Sequence, residues 1–216
     1  GLYDVGADVS VAYFYDAKEV FPFTISGLPF AFTDIESAVR VMEKFADKYA
    51  NDLFQDAVLM GVVSSDPYDL FSVKPIRTMD DVRGMKVKIG GKNDTEIVKA
   101  WGGIPVTIPL EEIYESLQRG TVDAALFSPV GIVDFKYYEP APYLTKLGYV
   151  NQFLLPLMNA DFFNNLPEDL QVLFAEELNP KLAQLMNEAF IKKLETANEE
   201  FEKLVAGRGE LIRLSE

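Results

Sequence analysis

Residues 85–127 read MKVKIGGKNDTEIVKAWGGIPVTIPLEEIYESLQRGTVDAALF, and their pattern decides the fold class. Met85 to Ile89 is a short β-rich run, and Asn93 to Trp101 has helical spacing closed by Gly102-Gly103. Val106 to Ile108 is strand-like again, Leu110 to Arg119 is helical and stopped by Gly120, and Val122 to Phe127 returns to a strand. Short strands and helices in this alternation argue for an α/β fold with a largely parallel sheet.

Upstream, Val58 to Val63 and Tyr68 to Val73 are β-rich, and Tyr3 to Tyr15 reads as a buried strand running into a loop. Between Phe21 and Phe30 the prolines forbid a continuous helix. Thr33 opens a helix with a capping box completed by Glu36, and Ile35, Ala38, Val39, Met42, Phe45, Ala46, Tyr49 and Leu53 share its apolar face. Downstream, Gly148 to Asn159 is strand-like. Pro167 starts a helix to Leu178, and Asn179-Pro180 caps a second, long helix that Gly207 ends. That helix carries an apolar stripe at Leu182, Leu185, Met186, Ala189, Phe190, Leu194, Ala197, Phe201, Leu204 and Val205. Its roughly 26 residues reach about 40 Å. The spacing is a broad core face rather than strict heptads, which favours packing along two lobes over a coiled coil.

The 216 residues are 49% hydrophobic, which excludes a disordered chain, and no apolar run approaches the ~20 residues of a membrane-spanning helix. The formal charge of −14 argues against nucleic acid and anionic lipid as partners. Histidine and cysteine are both absent, which removes Ser-His-Asp and Cys-His nucleophiles, thiolate or imidazole metal sites and thiol redox. Gly1 is preceded by no initiator Met or leader pattern, and Arg213-Leu214-Ser215-Glu216 follows a strand-like run, so a fragment open at both ends is expected.

Few segments offer chemistry. Gly90-Gly91-Lys92-Asn93-Asp94-Thr95 joins a strand to a helix, where free amides can hold an anion, yet it lacks the phosphate-loop spacing. Glu111-Glu112 reads as first-turn acids favoured by the helix dipole, and Asp80-Asp81 as a turn and cap without calcium-loop spacing. The aromatic groups Tyr13-Phe14-Tyr15 and Phe135-Lys136-Tyr137-Tyr138 are core residues or the lining of a ligand crevice. Binding is favoured over catalysis, with no cofactor, no metal ligand set and no catalytic residue.

The stretch Lys74-Pro75-Ile76-Arg77-Thr78-Met79-Asp80-Asp81-Val82-Arg83-Gly84-Met85-Lys86-Val87-Lys88-Ile89 resembles a signature of the TRAP-transporter solute-binding proteins, the DctP family. The likeness continues through Gly103-Ile104-Pro105-Val106, Glu112-Ile113-Tyr114, Leu117-Gln118 and Gly120-Thr121-Val122-Asp123. Upstream it includes Tyr3-Asp4-Val5-Gly6 and Leu28-Pro29-Phe30. Set against the family's usual length, the resemblance leads to the expectation that this sequence lacks the first strand–helix–strand unit, the export signal and the last helices.

The resemblance implies a two-lobe, periplasmic-binding-protein-like α/β fold with a hinge cleft and a long helix spanning both lobes. Residues 1–65 would form the first part of lobe I, 66–153 lobe II, and 154–216 the return to lobe I with the long helix. It implies a periplasmic, non-enzymatic protein that captures a small organic solute and delivers it to TRAP membrane permease subunits, without itself inserting in the membrane. A sensory ligand-binding domain of the same fold is the alternative, and a carboxylate- or metal-dependent enzyme a more distant one.

By the same resemblance, Lys88 stands where the family commonly places a carboxylate-gripping arginine, and Tyr68 where it places a second. Leu110 takes the place of a stacking aromatic, Phe127 ends a strand where polar contacts are frequent, and Asp8 lies in a ligand-contact segment. With Tyr13 and Gly91, these are the expected ligand-binding residues. One lysine with apolar neighbours points to a monocarboxylate with an apolar or aromatic body.

Overall fold

The computed structural model describes residues 9–12, 28–32, 34–54, 56–90 and 92–214. They divide into two compact units. One contains the short strand β1 (Val9–Ala12), residues 31–65 and residues 151–191; the other contains residues 28–30, 66–150 and 192–214. The boundary expected near residue 153 compares with a passage at Val150–Asn151. The last stretch groups with the second unit because its terminal strand pairs there.

In the first unit, α1 (Ile35–Leu53) begins at Asp34, whose Oδ1 accepts the Ser37 amide at 2.7 Å. The cap is therefore one residue later than the expected Thr33, which lies outside the described residues; the short Asp34 carboxylate reaches the third helical amide directly. The apolar face holds as read, with Ala38 and Met42 buried against Phe153, Leu155 and Leu157. Those three belong to the long strand β9 (Asn151–Asn159), which pairs antiparallel with β1 on one side and with β2 (Ala57–Leu59) on the other. The run expected as one strand over Val58–Val63 is two, since β3 (Val63–Pro67) starts anew after Gly61.

Gly61 has φ +152, and a Cβ placed on it would stand 2.6 Å from the Cβ of Ala183. The kink and the helix contact both require the missing side chain. Gly61→Ala is expected to cost about 1–3 kcal/mol, read as a lower urea midpoint at unchanged slope.

In the second unit, six strands lie in the order β10 (Glu210–Arg213), β8 (Tyr143–Lys146), β4 (Asp69–Ser72), β7 (Ala124–Phe127), β5 (Lys86–Ile89) and β6 (Ile104–Thr107). The helices and strands between residues 85 and 127 appear as read, with ends shifted by one or two residues. They are β5 (Lys86–Ile89), α2 (Lys92–Ala100), β6 (Ile104–Thr107), α3 (Ile113–Gln118) and β7 (Ala124–Phe127). Strands β7, β5 and β6 are mutually parallel. The sheet is mixed rather than largely parallel, because β4 (Asp69–Ser72) runs antiparallel to both β7 and β8 (Tyr143–Lys146). Helix α4 (Pro129–Asp134) follows β7, and β10 (Glu210–Arg213) pairs parallel with β8. Asp80-Asp81 form the turn expected of them. Asp81 accepts the Arg77 and Thr78 amides, and Asp80 pairs with the exposed Arg83.

After the short α5 (Ala160–Asn164), the chain is helical without a break from Glu168 to Val205, 38 residues. Asn179-Pro180 therefore does not cap a separate helix. Proline lacks an N–H and its ring crowds the carbonyl four residues back. The wider turn Phe174–Leu178, between α6 (Glu168–Leu173) and α7 (Asn179–Val205), absorbs this, with the Asn179 amide bonded to the Phe174 carbonyl. In the first unit Ala183, Met186 and Phe190 pack on Val63 and Leu154, and in the second Phe201 and Val205 join the sheet's core. Leu185 and Leu204, expected on the same stripe, are exposed. No helix among the described residues is long and apolar enough to cross a membrane.

Candidate functional site

The second unit brings Lys88, Tyr68 and Phe127 to one region of its sheet. Sheet register sets Lys88 of β5 beside Ala125 of β7, two residues before Phe127, so both side chains leave the same face. Phe127 sits over the start of α4. A Cβ at Gly131 would be 2.3 Å from its ring, so only glycine allows this placement. Tyr68 packs on Phe127 with ring centroids 5.4 Å apart, and Phe135 and Tyr137 continue the cluster at 6.2 and 5.7 Å from Phe127. Tyr68, Phe127 and Tyr137 are buried, whereas Phe135 is 52% exposed and turns an aromatic face to solvent. Burial, and secondarily Glu111, pushes the Tyr137 hydroxyl up to about 12.

Leu110 is 40% exposed, and its carbonyl accepts the Tyr137 hydroxyl at 3.1 Å, which ties it to the aromatic group by backbone rather than side chain. Asp8, Tyr13 and Gly91 lie outside the described residues.

Lys88 is only 7% exposed as a residue, and no hydrogen bond joins its ammonium to a described residue; the sealed polar side-chain atoms without a partner are instead Asn151 Oδ1 and Asn179 Oδ1 among the described residues. Burial holds its pKa below the ordinary lysine value, while the charge of Asp94 works in the opposite direction. Asp94 stands in the first turn of α2. Its Oδ2 accepts the Gly90 amide and its Oδ1 the Tyr149 hydroxyl, each at 2.8 Å. Tyr149 is fully buried, and its hydroxyl is driven far above the usual phenol range, first by burial and then by Asp94. Trp101 packs edge-on against it at 6.0 Å and Phe30 at 5.8 Å. Phe30 has a left-handed backbone, φ +59, and its amide donates to the Tyr149 carbonyl at 2.7 Å.

A second polar anchor steadies the aromatic wall. Ser128 donates to the buried Asp66, which also accepts the Val130 amide at 3.1 Å; burial raises the Asp66 carboxyl despite these bonds. Asp66, Asp94, Tyr149 and Phe30 escaped the sequence reading as site residues. Asp94 showed only as part of a strand-to-helix loop, and no local pattern marks Tyr149, because its partners are distant in sequence.

The first unit contains an open groove of about 1090 Å³, flanked by Phe54, Met60, Asn179 and Ala183 and lined by no lysine or arginine. Among the described residues no three carboxylates gather as a metal site. What the second unit offers is a largely buried lysine on the same sheet face as a partly exposed aromatic wall, an arrangement suited to holding an organic anion.

A family model described as DctP, bacterial extracellular solute-binding protein, family 7, matches residues 6–216. The chain belongs to the DctP family. This is a family of solute-binding proteins, not of enzymes. A solute-binding protein of Sulfitobacter sp. (strain NAS-14.1) is 29% identical over 154 residues, 69% of this chain and 46% of that protein. The C4-dicarboxylate-binding periplasmic protein DctP of Rhodobacter capsulatus is 25% identical over 152 residues, with the same shares. The crystal structure of a TRAP periplasmic solute-binding protein from Sulfitobacter sp. NAS-14.1, with bound β-D-galacturonate, superposes with a TM-score of 0.83. It is 20% identical and covers 96% of this chain and 69% of that one. The chain thus has the α/β fold of periplasmic solute-binding proteins, and it spans about half the length of the curated relatives it matches.

Proposed function

We propose that the chain serves in an extracytoplasmic solute-binding protein of a TRAP-type transporter. It captures a small monocarboxylate with an apolar or aromatic body in the periplasm and passes it to the membrane permease. The observation that carries this reading is Lys88. A largely buried lysine whose ammonium has no acceptor among the described residues is costly, and in a family of solute-binding proteins the natural acceptor is the solute's acid group. Tyr68, Phe127 and the exposed ring of Phe135 supply apolar area for the rest of the molecule, worth about 25 cal/mol per Å² removed from water. Relatives support the acid. One is described as binding C4-dicarboxylates and another holds galacturonate.

A lone ammonium holds one carboxylate well and leaves the oxygens of a second short of donors. Calorimetry with phenylacetate, D-galacturonate, succinate and propylamine tests this reading. Phenylacetate should bind tightest and propylamine not at all. Tight succinate binding without a response to phenylacetate would reject the apolar-body assignment, and preference for the amine would reject acid capture.

A further inference from the structure

Asp94 has two bonds that the helix alone does not explain together. A first-turn acid is favoured by the helix dipole, and the Gly90 amide fits that role. The second oxygen is instead fixed by the hydroxyl of Tyr149, 55 residues away in sequence and locked between Trp101 and Phe30. The carboxylate is therefore buried and oriented from two sides at the end of the strand that carries Lys88, since Gly90, whose amide it accepts, lies two residues beyond that lysine; its charge accordingly favours the ammonium. The strands flanking Lys88 contribute Val106 and Ala125 beside it, neither of which is charged. Among the described residues, Asp94 from α2 and the neutral Tyr149 are the titratable groups on this side of Lys88, and Tyr68 and Tyr137 are those of the aromatic wall.

We propose that Asp94 is a specificity-determining residue of the anion site, a resident counter-charge to Lys88 that admits a ligand with one anionic group and repels a second. The inference rests on Lys88 being the ligand's cation, as proposed above. Two effects follow. A dianion meets the fixed carboxylate as well as the ammonium, so it gains less than a monoanion does. Asp94 also keeps Lys88 protonated to higher pH against the pull of burial, so it sets the alkaline limit of acid binding. The acid binds the protonated amine; affinity therefore falls as pH rises through the Lys88 pKa, and removing Asp94 moves that fall to lower pH.

The test is calorimetry of phenylacetate and succinate, from about pH 6 to about pH 10, on the wild type, Asp94→Asn, Asp94→Glu and Lys88→Met. Asp94→Asn should shift the phenylacetate-to-succinate preference toward succinate on the order of tenfold. It should also move the alkaline loss of phenylacetate binding down by about one pH unit. Asp94→Glu should restore both. Equal weakening of both acids with an unmoved pH midpoint would show a merely structural cap and overturn the proposal, as would no change at all. Should Asp94→Asn fail to fold, Tyr149→Phe frees one carboxylate oxygen and should shift the preference in the same direction by less; no shift there overturns the proposal equally. If Lys88→Met binds like the wild type, or the wild type binds neither acid, the reading of Lys88 falls and this inference with it. If Lys88→Met loses binding while Asp94→Asn keeps the wild-type preference, only the inference falls.

Discussion

Lys88→Met is expected to lower affinity for a carboxylate ligand roughly ten- to a hundredfold, because a charge-assisted contact is worth about 1.5–3 kcal/mol. The same change should leave the unliganded protein as stable as the wild type or more so by about 1 kcal/mol. The wild-type residue is 7% exposed and its ammonium has no hydrogen bond among the described residues, and a thioether of similar length fills its space without that partial desolvation. A residue kept for packing would show the opposite pairing, lower stability with affinity following it. Calorimetry and urea unfolding on one preparation separate the two. Lys88→Arg should retain acid binding where there is room for the planar fork. In the wild type, acid affinity should fall as pH rises through the lowered Lys88 pKa, earlier than an exposed lysine would allow.

The largest loss of stability is expected at Asp69. Its side chain is completely buried; one oxygen accepts the amides of Leu147 and Gly148 at 2.7 and 2.9 Å, and the other pairs with Lys146. Asp69→Ala leaves two part-buried amides without their acceptor and removes the partner of Lys146, a loss of about 3 kcal/mol. Lys146 is 29% exposed and can turn toward water, which keeps the loss below that of a fully buried pair. Asp69→Asn keeps an oxygen for both amides and loses only the ion pair, so about 1–2 kcal/mol is expected. Urea midpoints at constant slope give both numbers. Nearly equal losses in the two variants would mean that the ion pair, not the amide bonds, dominates. Because Gly148 leads directly into Tyr149, Asp69→Ala should also weaken acid binding, while Asp69→Asn should not.

The strands and helices from Met85 to Phe127 were legible because each is short, internally patterned and punctuated by glycine. Gly102 and Gly120 do adopt the left-handed conformation that ends a helix, at φ +81 and +71. The apolar face of α1 was legible for the same reason: periodicity is a property of neighbours in sequence. The strand break at Gly61 and the continuous helix through Asn179-Pro180 were not. Gly61 is set by a contact with Ala183, and a proline is accommodated once a wider turn precedes it. Local rules say only that either residue is unfavourable in a regular element.

At the candidate site the division is the same. Composition and charge excluded histidine and cysteine chemistry, and the ordered motifs from Lys74 to Asp123 identified the family and singled out Lys88, Tyr68 and Phe127. Chain folding decided what surrounds them. Strand β4 lies antiparallel between β7 and β8, which brings Tyr68 against Phe127, and the approach to β9 carries Tyr149 to Asp94. A sequence records each residue's chemistry and its local periodicity. Burial of an ammonium, and the distant carboxylate and phenol that go with it, depend on which segments pack together, and only the tertiary structure fixes that.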